Sequence, residues 1–321
     1  MKAVVYTENG PPEVLRYADV PDPVCGPREV LVRVQAISIE GGDLGNRARG
    51  ELLTNPHVVG YQCAGTVVEV GADVDDRAID DDVVCVMIHG SHAELVAVDA
   101  GFTWIVPDGL DLVRAACVPV PFGTADDCLF EFGHLRAAEH VLVQAGGGGV
   151  GIAAVQLAHR AGATVFATAS ADWKLERLGA LGLDQGINYR EVDFVAEARR
   201  LTGGRGVDLV VDSVGATLAG SIASLAYRGR CITVGDASRA QAAIDVAPLR
   251  GGNQSLTGVF LGAEMLMARD RAHAMIARHL AAIATGELLV VVDSELPLAD
   301  AIEAHRRAES REAFGRVVMI P

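Results

Sequence analysis

His140-Val141-Leu142-Val143-Gln144-Ala145-Gly146-Gly147-Gly148-Gly149-Val150-Gly151 is the stretch on which the fold turns. Its first four residues are a continuous apolar run that reads as a buried strand. Gly146, Gly148 and Gly151 satisfy G-x-G-x-x-G, and Val150 to Ala161 continues as a helix rich in Ala, Leu and Ile. Glycine is common here, 36 of 321 residues, so the motif alone is weak; the strand before it and the helix after it supply the required context. Glycines let the backbone turn sharply and approach a pyrophosphate with no Cβ in the way. The helix N-terminus then presents unpaired N–H groups and the positive end of its dipole. The turn is expected to bind a dinucleotide.

The pattern repeats outward from this point. Thr164–Thr168, Val207–Asp212 and Cys231–Val234 read as further apolar strands, with helices at Trp173–Leu181 and Leu218–Leu225 between them. Continuous apolar strands separated by helices predict a parallel sheet covered on both faces. The first hundred residues differ. Val30–Val34, Gly65–Gly71, Asp82–Val86 and Glu94–Val98 are short, β-branched runs punctuated by Gly, Pro and Asp, which predicts a small barrel or sandwich. The tail returns to strand and helix at Val290–Val292, Leu298–Ala308 and Arg316–Ile320. The domains expected are residues 1–118 with 288–321, and 119–287.

Composition narrows the function. With 27 basic and 42 acidic residues the net charge is −15, so nucleic acid and anionic membrane are poor partners. Any anionic ligand must be held by a local site. Six cysteines without a Cys-x-x-Cys pair argue against a structural zinc site and against a disulfide scaffold. No signal peptide or membrane span is read, and a cytoplasmic protein is expected.

The choice of nucleotide rests on the second strand of the sheet. An NAD site usually places an acid there for the ribose hydroxyl. Here the strand ends Ala167-Thr168-Ala169-Ser170, and Lys174 lies one helical turn on. Twenty-five of the 27 basic residues are arginine, so this lysine stands out. A hydroxyl and a cation suit a 2′-phosphate, and NADPH is the expected cofactor. Ser170 also reads as a helix cap, Lys174 as a solvated residue, and Asp172 opposes an anion.

Several further segments carry a family resemblance: Gly65–Gly71, Val106-Pro107-Asp108-Gly109-Leu110, Gly123-Thr124-Ala125, the glycine loop, Asn188-Tyr189, Val210–Gly215 and Gly315–Val318. Nearly end to end, the chain resembles a medium-chain dehydrogenase/reductase, and most resembles the zinc-independent quinone oxidoreductase (zeta-crystallin-like) branch. The resemblance implies an α/β architecture: a GroES-like β-barrel catalytic domain completed by the tail, a Rossmann doubly wound parallel-sheet domain, a cleft between them, and a homodimer. It implies that Ser170, Lys174 and Tyr189 surround the 2′-phosphate, with Arg316 reaching it from the tail. It further places Thr124, Gly146, Gly148, Gly149, Val150, Gly151, Val214, Val234, Gly235 and Phe260 along the cofactor.

Zinc-dependent relatives carry a Cys near position 38 and a Gly-His-Glu motif after the next loop. Here the positions read Ser38 and Gly60-Tyr61-Gln62, so no catalytic zinc is expected. His89 and His92 form a His-x-x-His pair that reads better as a surface loop than as a metal site. Hydride transfer to a quinone or enone, whose developing charge delocalises, is the chemistry left. The acceptor segment departs from the family pattern, with Ser38-Ile39-Glu40-Gly41-Gly42-Asp43 where Asn-x-x-Asp is usual. Asp43, Tyr61 and Arg47 are the candidate catalytic groups. Tyr61 reads equally as a proton donor or a half-buried packing residue. Arg47 and Arg49 read as an anion-binding rim or, preferably, as a solvated loop. The alternatives are a 2-enoyl-thioester reductase and an NADPH-binding sensor or structural protein with little turnover.

Overall fold

The computed structural model describes residues 1–237 and 244–321. These form two compact units, Met1–Val120 with His273–Pro321, and Pro121–Ala272.

The first unit is a β structure. Its strands are β1 (Lys2–Tyr6), β2 (Arg16–Asp19), β3 (Glu29–Ser38), β4 (His57–Val58), β5 (Gln62–Val70), β6 (Asp82–Val86), β7 (Leu95–Asp99) and β8 (Thr103–Ile105), with β15 (Val292–Pro297) and β16 (Arg316–Ile320) from the tail. A seven-stranded sheet runs β15-β16-β3-β5-β6-β8, with β7 also on β3. Val30, Val32 and Val34 alternate inward from β3 and pack with Val67, Val83, Val96 and Met319 in one apolar core. The tail is integral: Val318 and Met319 of β16 pair with Ser38 and Ile37 of β3. The strand expected at Val290–Val292 instead runs from Val292 to Pro297. It pairs with β16 alone at the sheet edge, so its polar residues Asp293, Ser294 and Glu295 are tolerated where an apolar run is not needed.

The region 41–49 is a helix, Gly41–Arg49, rather than a loop. Two glycines at its start disguise it. It forms because Asp43 Oδ2 accepts from the Glu40 backbone N–H at 2.8 Å while Glu40 caps the third turn position in return.

His92 is also not on a surface loop: it is fully buried, and His89 is half-buried with its ring 4.9 Å from that of His57. The His92 carbonyl accepts from Val4 N–H at 2.8 Å, which draws the segment onto β1. Arg47, buried on the helix Gly41–Arg49, bonds His305 Nδ1 at 3.0 Å and Glu309 at 2.6 Å, and the two histidines meet through their Nε2 atoms at 3.1 Å. Arginine only donates, so His305 accepts at Nδ1 and donates from Nε2 to His92. Burial pushes His92 down to about 3 from 6.5. Below pH 6.5 the unfolded chain therefore binds a proton that the folded one refuses. The stability from neutral His92 is complete above pH 6.5 and falls by about 1.4 kcal/mol per pH unit below it, until about 3. His92→Gln is expected to flatten the loss of thermal stability between pH 6.5 and about 4; an unchanged slope would assign acid sensitivity elsewhere.

The second unit holds the opening stretch. Its strands are β9 (His140–Val143), β10 (Thr164–Ala169), β11 (Gln185–Asn188), β12 (Val207–Asp212), β13 (Leu225–Thr233) and β14 (Ser255–Gly258). All five neighbouring pairs are parallel, in the order β11-β10-β9-β12-β13-β14. That is the 3-2-1-4-5-6 order of a doubly wound sheet, with the reversal between β9 and β12. Val141, Leu142, Val143 and Val165–Ala167 are buried on both faces, as parallel strands under helices must be. No helix among the described residues is long and apolar enough to cross a membrane.

Candidate active site

In the second unit, parallel strands bring the cofactor candidates to one edge. Gly146–Gly151 follow β9, Ser170 and Lys174 follow β10, Tyr189 follows β11, Val214 follows β12, Val234 and Gly235 follow β13, and Phe260 follows β14. Each stands just past the carboxyl end of its strand, the side on which open α/β sheets bind ligands. Thr124 lies buried in the helix Pro119–Asp126.

The glycine loop is held from beneath. Ala145 sits at φ 53° and its N–H donates to Thr168 Oγ1 at 3.1 Å. Thr168 Oγ1 donates to Gln144 Oε1 at 2.8 Å, and Gln144 Nε2 donates to Ser221 Oγ at 3.1 Å. Ser221 Oγ in turn donates to Asp212 Oδ2 at 2.7 Å. Asp212 is fully buried and also accepts from Val214 N–H, Gly215 N–H and Thr217 Oγ1. A polar chain thus ties the ends of β9, β10 and β12 together at the point of reversal.

Above the loop the arrangement fits a dinucleotide phosphate. A Cβ at Gly148 would meet only the Ala145 carbonyl, at 3.4 Å, so this backbone is open to close approach. The helix Gly149–Arg160 has Gly148 as its cap and no side chain bonded to that cap. Lys174 is 95% buried, with its ammonium 5.3 Å from the Trp173 ring centre. Ser170 is half-buried and Tyr189 is 42% exposed. Asp172 is engaged by Asn188 at 2.9 Å.

Arg316 belongs to the first unit, where its guanidinium donates to Ser38 Oγ at 2.9 and 3.1 Å, to the Ile39 carbonyl and to Glu40. Sequence position in the tail gave no sign of this, because only the pairing of β16 with β3 sets Arg316 beside Ser38. Arg47 is removed from any anion-binding rim, since Gly10, His305 and Glu309 surround its guanidinium.

Arg316 organises a second constellation within the first unit. Gln62 Nε2 donates to Glu40 Oε1 at 3.1 Å and to the Ala116 carbonyl at 2.5 Å, and Gln62 Oε1 accepts from Val120 N–H at 2.6 Å. Burial raises the Glu40 carboxyl against the opposing pull of Arg316 and Ser38. A guanidinium does not give up its proton, so Arg316 stays cationic beside Glu40. Asp43 is fully buried, and burial with the nearby Glu40 charge pushes it well above the usual carboxylate range despite the Glu40 N–H. Its Oδ1 has no partner. Burial, then the charges of Asp43 and Glu40, also push Tyr61 well above its ordinary value. The Tyr61 hydroxyl lies against the space a Gly42 side chain would occupy.

This donor set does not fit a zinc ion. Ser38 and Gln62 stand where thiolate and carboxylate would be needed, and a guanidinium fills the space beside them. No group of three or more His, Cys, Asp or Glu among the described residues is placed to hold a metal.

Comparison with known proteins decides the family. Residues 26–108 match the alcohol dehydrogenase GroES-like domain, and residues 149–278 match the zinc-binding dehydrogenase domain. A mycobacterial quinone oxidoreductase structure is 34% identical, with a TM-score of 0.86 and 100% of each chain covered. The chain belongs to the medium-chain dehydrogenase/reductase superfamily, in its zinc-independent quinone oxidoreductase-like branch. Its first unit is the GroES-like domain and its second the Rossmann domain. The Escherichia coli quinone oxidoreductase complexed with NADPH is similar at a TM-score of 0.93, with 28% identity and 100% of each chain covered. The synaptic vesicle membrane protein VAT-1 homolog of Danio rerio is 32% identical over 91% of this chain. The phthioceranic/hydroxyphthioceranic acid synthase of Mycobacterium tuberculosis is 32% identical over 92% of it. The chain spans 64% of the former protein and 14% of the latter.

Proposed function

We propose that this medium-chain dehydrogenase/reductase binds NADPH and reduces a quinone or a related α,β-unsaturated carbonyl. The observation that carries the reading is the buried Lys174, one turn past Ser170, after a β10 whose tip carries no acid for a ribose hydroxyl and with Asp172 engaged by Asn188. Gly146, Gly148, Gly149, Val150 and Gly151 would hold the pyrophosphate, and Ser170, Lys174 and Tyr189 the 2′-phosphate. When bound, the cofactor supplies a hydride. An acceptor whose charge delocalises needs no Lewis acid, which suits a donor set unfit for zinc. Asp43 and Tyr61, whose acidity burial weakens in both cases, are the proposed proton-bearing groups beside the acceptor.

The similarity to a segment of a large acid synthase favours enoyl-thioester reduction as the second reading. Arg47 does not support it, because its guanidinium is spent inside the first unit. A homodimer is supported by β14, an edge strand, and by exposed Leu266, Met267 and Tyr227 in the same unit. Six free cysteines fit a reducing cytoplasm.

The test is consumption of NADPH and NADH with a naphthoquinone, a short enone and a crotonyl thioester. NADPH-dependent loss with the first two supports the reading; preference for the thioester replaces it with the second. Lys174→Ala should weaken NADPH binding about tenfold or more and leave NADH within about twofold, as one lost charge-assisted bond predicts. Equal weakening of both would remove the phosphate assignment.

A further inference from the structure

The helix Asp172–Gly179 follows β10 in the second unit and carries two stripes of residues four apart. Lys174 and Leu178 are its buried pair. Leu178 packs against the glycine loop: a Cβ at Gly146 would stand 2.9 Å from Leu178 Cδ1. Lys174 therefore shares the helix face that meets that loop. Trp173 and Arg177 form the neighbouring stripe, and both are exposed, the tryptophan at 44%. One ring joins the two stripes. The Lys174 ammonium lies 5.3 Å from the Trp173 ring centre, and the Arg177 guanidinium carbon lies 6.0 Å from it. The start of the helix is pinned beside them, with Asn188 Nδ2 donating to Asp172 Oδ1 at 2.9 Å.

We propose that Trp173 is a positioning residue of the 2′-phosphate site, its indole face holding the Lys174 ammonium in place with Arg177 as a second cation on the same ring. The proposal rests on the reading that Ser170, Lys174 and Tyr189 hold that phosphate. Three physical costs oppose the arrangement as it stands. Burial penalises an ammonium. The helix dipole disfavours a cation in the first turn, where Lys174 sits. Two like charges three apart on a helix, Lys174 and Arg177, repel each other. The negative face of an indole offsets part of all three, and a dianionic phosphate between the cations offsets the rest. The ring also answers a problem of precision. A lysine is a point charge on a flexible four-carbon stem, so alone it recognises a phosphate loosely. Laid over an indole, the ammonium is ordered before the ligand arrives, and less freedom is lost on binding. NADH carries a hydroxyl where NADPH carries the phosphate and gains little from the same device. In a chain of net charge −15, such local ordering is what separates the two cofactors.

The experiment titrates the full chain calorimetrically with adenosine 2′,5′-bisphosphate and with adenosine 5′-monophosphate, probes that differ only by the 2′-phosphate. Trp173→Leu keeps an apolar side chain and removes the π face. It should raise the bisphosphate Kd about five- to tenfold and leave the monophosphate within about twofold. Trp173→Phe restores a ring and should recover most of the lost affinity. Arg177→Gln should raise the bisphosphate Kd about threefold and flatten its dependence on salt. The proposal is overturned if Trp173→Leu leaves the bisphosphate affinity unchanged, or if it weakens both probes alike, which would make the ring a support for the helix or the adenosine. It is also overturned if phenylalanine is no better than leucine. Should Trp173→Leu fail to fold, Arg177→Gln decides: an unmoved bisphosphate affinity, or an equal change for both probes, overturns it. A wild type that binds both probes equally removes the 2′-phosphate reading and this proposal with it. A wild type that prefers the bisphosphate, with variants that do not move, removes this proposal alone.

Discussion

Gly151→Val is expected to abolish practical NADPH binding, raising Kd at least about a hundredfold, equivalent to about 2.7 kcal/mol. A Cβ at residue 151 would stand 2.4 Å from the Ala145 carbonyl oxygen and 2.7 Å from Gly146 Cα. Both are backbone atoms of the same loop, and neither can move without breaking the Ala145–Thr168 hydrogen bond below them. The helix Gly149–Arg160 must therefore shift away, and its first N–H groups leave the phosphate position. Gly148→Ala is the informative control. Its Cβ meets only Ala145 O at 3.4 Å, so the unit should fold with its thermal midpoint nearly unchanged. If a pyrophosphate lies over that backbone, the same methyl should still weaken NADPH about tenfold or more. Titration of NADPH fluorescence against both variants measures this. Full affinity in Gly148→Ala would mean that the loop is packed for the fold and not for a ligand.

The second large effect falls on stability. Asp212→Ala should cost about 4 kcal/mol and lower the thermal midpoint of the second unit by roughly 10 °C. The carboxylate is fully buried and receives two backbone N–H groups and two hydroxyls. Each donor left without a partner costs about 1–3 kcal/mol, and relaxation around alanine recovers part of that. Asp212→Asn keeps an acceptor and should lose about half as much. The loss should also reach the cofactor, because Asp212 supports Ala145 through Ser221, Gln144 and Thr168. Calorimetry with and without NADPH separates the two consequences. An unshifted midpoint in Asp212→Ala would show the polar chain to be incidental.

The Rossmann sheet is plain in the sequence because buried parallel strands leave little choice of residue. His140–Val143 and Val207–Asp212 fall as read, residue for residue. Asp82–Val86 does so in the other unit, where Val83, Val84 and Cys85 are all buried. The glycine loop, Ser170 and Lys174 could be read from their strand ends; Tyr189, Val214, Val234, Gly235 and Phe260 came from the family resemblance, and all stand at one edge because every strand of a parallel sheet delivers its next residues there. The constellation around Arg316 was illegible in part. Its members come from positions 38–43, 61–62, 116–120 and 316, and no local pattern links them. Asp43 and Tyr61 stood out as polar residues in an altered segment, but Glu40 and Gln62 looked like mere departures from a family pattern. Arg47 and His92 were misjudged on charge. A lone basic residue or histidine reads as solvated, and only the fold shows that each is partnered by the other's network through His305. The helices Leu261–Met267 and Arg269–Ala284 were not singled out, because Met, Ala and Arg there mark no clear face.

Strand β3 gains its neighbour β16 only from residues near the end of the chain, and Ser38 gains Arg316 from the same segment. During synthesis the first hundred residues leave the ribosome early, and β7 covers Glu29–Arg33 on this side, yet Ile37 and Ser38 must wait for some two hundred more. The Rossmann unit is uninterrupted and can close on itself meanwhile. The end of β3 at Ile37 and Ser38 is therefore the last part of that sheet to gain its neighbour as the chain is made.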